Sequence, residues 1–190
     1  MSAANSKIIH IGEPLLRQQS REIEQSELNT PWLSSVIDDM VTTMHIEGGV
    51  GIAAPQIGQS IQVAVVEIPE NCSRYPNTRP FQQTVFINPR IEVLDNSLQG
   101  CWEGCLSVPG LRGLVYRPRK IRVSYLQRDG RSCQTVFEDF LATALQHEFD
   151  HLHGTLFVDR VRSTRLLSTY ENYLRLWQNR PIPSPEESLE

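Results

Sequence analysis

The segment Gln146-His147-Glu148-Phe149-Asp150-His151 constrains this chain more than any other. Residues four apart project from one face of a helix, so His147 and His151 offer two imidazoles to a single ion only if the segment is helical. Glu148, beside them without being a ligand, then occupies the general-base position of the HExxH pattern, acting on water at the metal. Phe140 and Ala144 precede His147 on the same helical face, so the ligands would emerge from an apolar wall, where charges interact strongly. The bland alternative, a structural helix with incidental histidines, is disfavoured by this spacing. Asp150 can orient a ligand histidine, pair with an arginine or stay a surface charge, and its role is open.

A catalytic ion needs a third protein ligand and an open position. Zinc peptidases commonly find that ligand downstream as Glu or His. This chain has no histidine after Gly154, and its only carboxylates there are Asp159, Glu171 and those of the tail. Upstream, Glu103-Gly104-Cys105-Leu106-Ser107-Val108-Pro109-Gly110 sets Cys105 in a glycine-flanked stretch that can bend tightly around an ion or a peptide. Cys105 is therefore the candidate third ligand, although an isolated cysteine is more often a small buried hydrophobe. Thiolate softness makes iron(II) or another transition metal as plausible as zinc.

The rest of the chain reads as α+β. Thr30 and Pro31 form a helix start, and Trp32, Leu33, Val36, Ile37, Met40, Val41 and Met44 recur at helical spacing up to Gly48-Gly49. Strand patterns cover Ile61 to Ile68, Thr84 to Ile87 and Arg119 to Leu126, and Asp129-Gly130 turns the last of these into a partner ending near Phe137. A second helix is predicted over Glu138 to Leu152, closed by Gly154, and a third over Ser163 to Gln178. Hairpin connections favour antiparallel pairing, because parallel strands need long crossovers.

At 190 residues the chain suits one core: a single domain over 1–180, followed by a proline- and glutamate-rich tail, 181–190, expected to be disordered and dispensable. The net charge of -4 gives no electrostatic footprint for a nucleic acid. No apolar run approaches a membrane span, and Met1-Ser2-Ala3-Ala4-Asn5-Ser6-Lys7 lacks the apolar core of a signal peptide, so cytoplasmic residence is expected. Four cysteines, Cys72, Cys101, Cys105 and Cys133, are too few for a disulfide scaffold and are expected to be free thiols.

Gly48-Gly49-Val50-Gly51-Ile52-Ala53-Ala54-Pro55-Gln56-Ile57-Gly58 lets backbone amides approach a ligand and supplies one carboxamide, Gln56. Alone it reads equally as a turn, and it has no phosphate-cradle spacing. On the residues alone, three functions stay open: a metal amide hydrolase, an HExxH endopeptidase, and a non-catalytic metal or peptide module. The last would need a closed four-ligand site, for which no fourth ligand is evident.

In this order and at roughly these separations, GVGIAAPQ, EGCLS and HEFDH resemble the three signature segments of the peptide deformylases, from about Ile8 to about Val161. The departures are small: Ile52 stands where the family usually has Leu, and Pro55 fills a variable position. The resemblance implies antiparallel β-sheets packed around a central metal-binding HExxH helix, with an N-terminal and a C-terminal helix. It further implies Cys105, His147 and His151 as metal ligands, Glu148 as acid/base, and Gln56 with the backbone N–H of Leu106 as oxyanion donors. The implied cofactor is one divalent ion, Fe2+, with Zn2+, Ni2+ or Co2+ as common replacements. The implied substrate is a nascent formyl-methionyl polypeptide met at the ribosome exit, deformylated with release of formate by a monomeric or dimeric bacterial-type cytoplasmic enzyme. Such a peptide would lie as an added strand along Val50, Gly51 and Gly104, its methionine against Val50, Phe140 and Ala144.

Overall fold

The computed structural model describes residues 6–70, 72 and 78–189. The sequence reading of the extreme N-terminus rests mostly on residues 1–5, which lie outside these, as does Glu190 of the tail.

Helix α1, Pro31–Ile46, starts where Thr30 Oγ1 accepts from the Leu33 N–H (3.3 Å) and Pro31 fills the first turn. Its buried apolar residues, Leu33, Val36, Ile37, Met40 and Met44, pack against Ile52, Val63, Val65 and Ile87. The helix stops at Glu47, before Gly48 turns the chain at φ 63°.

Five strands follow in one continuous antiparallel sheet: β1 Gly51–Ala53, β2 Val63–Ile68, β3 Phe81–Cys105, β4 Val108–Leu126 and β5 Ser132–Glu138, each paired with the next. Strand β2 is apolar on both faces because α1 lies on one side and helix α2, Asp139–Leu152, on the other. The Asp129-Gly130 turn joins β4 to β5 as the dipeptide predicts, with Gly130 at φ 81°.

Strands β3 and β4 run far beyond the patterns seen at Thr84 to Ile87 and Arg119 to Leu126. Their added length is a hairpin closed by Leu106-Ser107, with Cys105 opposite Val108. Its register shifts several times, at Val93/Asp95, Asp95/Leu98 and Glu103/Cys105, so no clean alternation betrays it in the sequence.

One face of α2 carries Ala142, Leu145, Phe149 and Leu152 into a cluster with Phe86, Ile121, Val123, Tyr125 and Phe137. Phe149 meets Phe86 edge-on at 5.6 Å between ring centroids. With that face committed to packing, the His147–His151 face turns towards β1 and the end of β3.

The C-terminal region corrects the sequence reading. The predicted helix over Ser163 to Gln178 is instead a short 3-10 turn (Thr164–Leu166), strand β6 (Leu167–Thr169) and a short helix, which, after α3 (Phe157–Arg160), is α4, Tyr170–Leu176. Leu167 pairs with Gly113 and Thr169 with Leu111, so β4 captures this segment as an edge strand before it can coil. Thr169 then caps α4 by accepting from the Asn172 N–H (3.3 Å). No helix among the described residues is long and apolar enough to cross a membrane.

Candidate active site

Strand β3 delivers Cys105 at its end, and α2 presents His147 and His151 one turn apart. All three are buried, and their donor atoms lie within 4.8 Å of one another. The Cys105 sulfur is 3.3 Å from His151 Nε2 and accepts from Gln56 Nε2 and the Ser107 N–H, both at 3.4 Å. A thiolate is the form in which such a sulfur would bind a metal.

His147 Nδ1 lies 2.8 Å from Glu103 Oε2, which fixes the imidazole and leaves Nε2 for the centre. Glu103 is in turn held by both arms of Arg117 (Nε 2.6 Å, Nη2 3.0 Å). Arg117 Nη1 reaches Asp150 (2.8 Å), which Arg160 also grips (2.7 Å). A buried chain of opposite charges thus runs from His147 to the surface. Burial alone would raise the Glu103 carboxyl, but the Arg117 charge and the His147 contact hold it at about 2.

Glu148 is buried, and its Oε2 has no hydrogen-bond partner. Burial pushes its carboxyl up to about 7 against the opposing pull of His147, and a divalent cation alongside would draw it back down. Gly51 is required opposite it, because a Cβ there would meet Glu148 Cδ at 2.8 Å. The donor set, two imidazoles and a thiolate with a carboxylate beside them, fits a transition-metal ion and leaves room for a further ligand.

Gln56 sits in a 3-10 turn after β1, its Oε1 accepting from the Ala53 N–H (2.8 Å). That bond aims Nε2 at Cys105 and at Ser107 Oγ (3.2 Å). The carboxamide therefore faces the Cys105 sulfur while remaining in the cleft.

Two small adjoining cavities collect the residues singled out from the sequence except His151, which lines neither. One, about 30 Å3, is lined by Val50, Gly51, Gln56, Gly104, Cys105, Leu106, His147 and Glu148, among others. The second, about 40 Å3, shares Val50, Gly104, His147 and Glu148 and adds Phe140 and Ala144. Sequence reasoning missed three of its walls, Cys101, Glu103 and Thr143. It also gave Glu103 and Arg117 no role, although Glu103 stands two residues before Cys105 and so shares its face once the segment is known to be a strand. Burial and the Glu103 carboxylate push the Cys101 thiol up to about 12, so that wall is neutral.

Of the other histidines, His45 meets Glu67 (2.7 Å) and His153 meets Gln19 (3.0 Å), both at the surface. His10 lines a wide cleft of about 820 Å3 beside Leu106 and Arg112.

Residues 5–166 match the family model described as polypeptide deformylase. The chain is 43% identical over 166 residues to a peptide deformylase of Leptospira biflexa, covering 87% of this chain and 93% of that protein. It is 42% identical over 169 residues to peptide deformylase 2 of a Nostoc species, covering 89% and 93%. In structure it resembles the Met-Ala-Ser-bound class I type b peptide deformylase of Acinetobacter baumannii, with TM-score 0.80, 39% identity and coverage of 84% of this chain and 99% of that one. An actinonin complex of the Synechococcus elongatus enzyme gives TM-score 0.75 at 32% identity, covering 96% and 93%. This chain belongs to the polypeptide deformylase family, hydrolases that remove the N-formyl group from nascent peptides.

Proposed function

We propose that Cys105, His147 and His151 hold one catalytic metal ion, with Glu148 as acid/base and the Gln56 carboxamide and Leu106 N–H as oxyanion donors. The observation that carries this reading is the convergence of the three buried donor atoms within 4.8 Å, with the orphaned Glu148 carboxylate in the same cavity. The antiparallel sheet and α1 then serve as packing around the metal-binding helix, in one catalytic domain over residues 1–180.

When bound, the ion supplies Lewis acidity towards the formyl carbonyl and lowers the pKa of a coordinated water. The remaining work belongs to the chain's own groups. Glu148 accepts a proton from the attacking water and returns it to the leaving amine, and the products are formate and a free N-terminus. Gln56 Nε2 and the Leu106 N–H stabilise charge developing on the former carbonyl oxygen. For Gln56 this means yielding one of two long contacts, at 3.2 and 3.4 Å, for a stronger charged one. The peptide adds as a strand along Val50, Gly51 and Gly104, with methionine in the cavity bounded by Phe140 and Ala144.

Iron(II) is the proposed ion, supported by the thiolate-bearing donor set, with Zn2+, Ni2+ or Co2+ as replacements. The proposed setting is the cytoplasm, where formyl-methionyl chains emerge from the ribosome, with the enzyme as a monomer or dimer.

Chelation should abolish formate release from a formyl-methionyl peptide, and anaerobic Fe2+ should restore it, with no cleavage of internal peptide bonds under either condition. Formate release unaffected by exhaustive chelation would remove the metal from the scheme. Gln56→Leu should lower kcat by about 10^2 to 10^3 while leaving the protein folded, the usual consequence of losing one oxyanion donor. Near-normal turnover in that variant would exclude Gln56 as a donor.

A further inference from the structure

The C-terminal tail does not hang free of the domain. Tyr116 Oη donates to the carbonyls of Pro183 (3.0 Å) and Ser184 (3.3 Å). Arg162 Nη1 donates to Pro185 O (3.4 Å) while its guanidinium lies over the Tyr116 ring at 5.3 Å. Gly100 completes the seat: a Cβ there would meet Ile182 Cγ2 at 2.5 Å and the Tyr116 ring at 2.9 Å. The bare backbone of Gly100 is where Ile182 lands.

Gly100 and Tyr116 form a cross-strand pair of the β3–β4 hairpin, flanked by the pairs Cys101–Val115 and Gln99–Arg117. Side chains alternate along a strand, so the tail presses on one face while both flanking pairs point to the other. On that other face Cys101 walls the 40 Å3 cavity, and Gln99 Nε2 donates to Thr143 Oγ1 (2.9 Å), a second wall. Arg117 begins the ion-pair chain to His147. On the tail's face Trp102 is covered in turn by Tyr173 and Trp177, at centroid distances of 5.7 and 5.6 Å. The C-terminal segment thus backs the hairpin at Gly100, Trp102 and Tyr116, on either side of the cavity wall Cys101.

We propose that residues 182–185, seated on Gly100 and Tyr116, position the hairpin wall of the cavity assigned to methionine and so set selectivity for the first side chain of the formyl-peptide. Tyr116 and Ile182 are positioning residues: they touch neither substrate nor metal and act through Cys101 and Gln99. The inference rests on the assignment of that cavity to methionine in the preceding section.

The test uses the full-length, metal-loaded enzyme and formyl-Met-Ala-Ser against its formyl-Ala counterpart. The double variant Tyr116→Phe/Ile182→Ala removes the two hydrogen bonds that Tyr116 gives the tail, leaving that of Arg162, and the tail's apolar anchor, without altering the cavity lining. Its KM for the methionyl peptide should rise about threefold at unchanged kcat, and methionine's advantage over alanine should shrink in proportion, because the fit of the methionine side chain is loosened equally in the ground state and the transition state. The conservative Tyr116→Phe/Ile182→Leu should recover part of the difference. Ala144→Phe, which fills the cavity directly, is the control and should collapse the preference for methionine. A double variant of lowered thermal stability but unchanged KM and selectivity, beside an Ala144→Phe enzyme that has lost its preference, overturns the positioning role. Unchanged selectivity in Ala144→Phe overturns the cavity assignment, and the inference with it.

Discussion

Glu148→Ala should release formate about 10^2 to 10^4 times more slowly than the parent chain while still binding one metal ion per molecule, because general acid–base catalysis supplies a factor of that size. The structural ground is the separation of roles along one helix turn. His147 and His151 point their donor atoms at Cys105, whereas Glu148 Oε2 sits buried and without a partner in the cavity beside them. A buried carboxyl oxygen without a hydrogen-bond partner is costly to the fold, which marks Glu148 as a functional group rather than a structural one. Its carboxyl, pushed up to about 7 chiefly by burial and against the pull of His147, suits a group that must both accept and return a proton. Glu148→Gln, with the same shape and no basicity, should be as inactive as the alanine variant and at least as stable. Metal content by elemental analysis and single-turnover formate release decide the matter together. Loss of the metal along with activity would make Glu148 a ligand, and substantial turnover in Glu148→Gln would assign the proton transfer elsewhere.

The parts of this architecture legible in the sequence are those where one local rule dominates. Helix α1 announces itself through Thr30-Pro31 and an unbroken apolar stripe, and α2 through histidine spacing. The β4–β5 connection follows from Asp129-Gly130. The long β3–β4 hairpin escapes the same reading because its stability is non-local. Gly100, Gly104 and Gly113 are poor strand formers, each placed there because a neighbour occupies the space of its Cβ: Ile182, Arg112 and Val161 respectively. The C-terminal stripe of Leu166, Leu167 and Tyr170 satisfies helical periodicity, yet Leu167 faces Gly113 in a strand pair and Tyr170 lies under the Arg112 guanidinium at 4.5 Å. At the centre, the cluster of Cys105, His147 and His151 gathers residues that type and spacing single out. Glu103 and Arg117 are not, since their partnership spans the hairpin and depends on a register that no motif records.

That partnership carries the second large effect. Arg117→Ala should destabilise the fold by about 3 to 5 kcal/mol, the cost of stranding a buried carboxylate without its cation. Arg117 is buried and fully engaged, at 2.6 and 3.0 Å with Glu103 and 2.8 Å with Asp150. Burial disfavours its charge, but these two carboxylates outweigh that and hold it protonated. Without it, Glu103 keeps only His147 as a partner, and the imidazole is drawn into compensating a charge instead of presenting Nε2 to a metal. Metal affinity should therefore fall by about 10- to 100-fold, as is typical when the group orienting a ligand is lost. Arg117→Lys should rescue little, because an ammonium cannot span Glu103 with two bonds and reach Asp150 as well. Arg160→Ala, at the exposed end of the same chain, should cost less than about 1 kcal/mol. The double variant Arg117→Met/Glu103→Gln separates the two consequences: with no stranded charge it should regain much of the stability but not the metal affinity. Denaturant midpoints measured in chelator report the first quantity, and competition with a chromogenic chelator reports the second. An Arg117→Ala chain that matched the parent in both would show that His147 is held by packing alone.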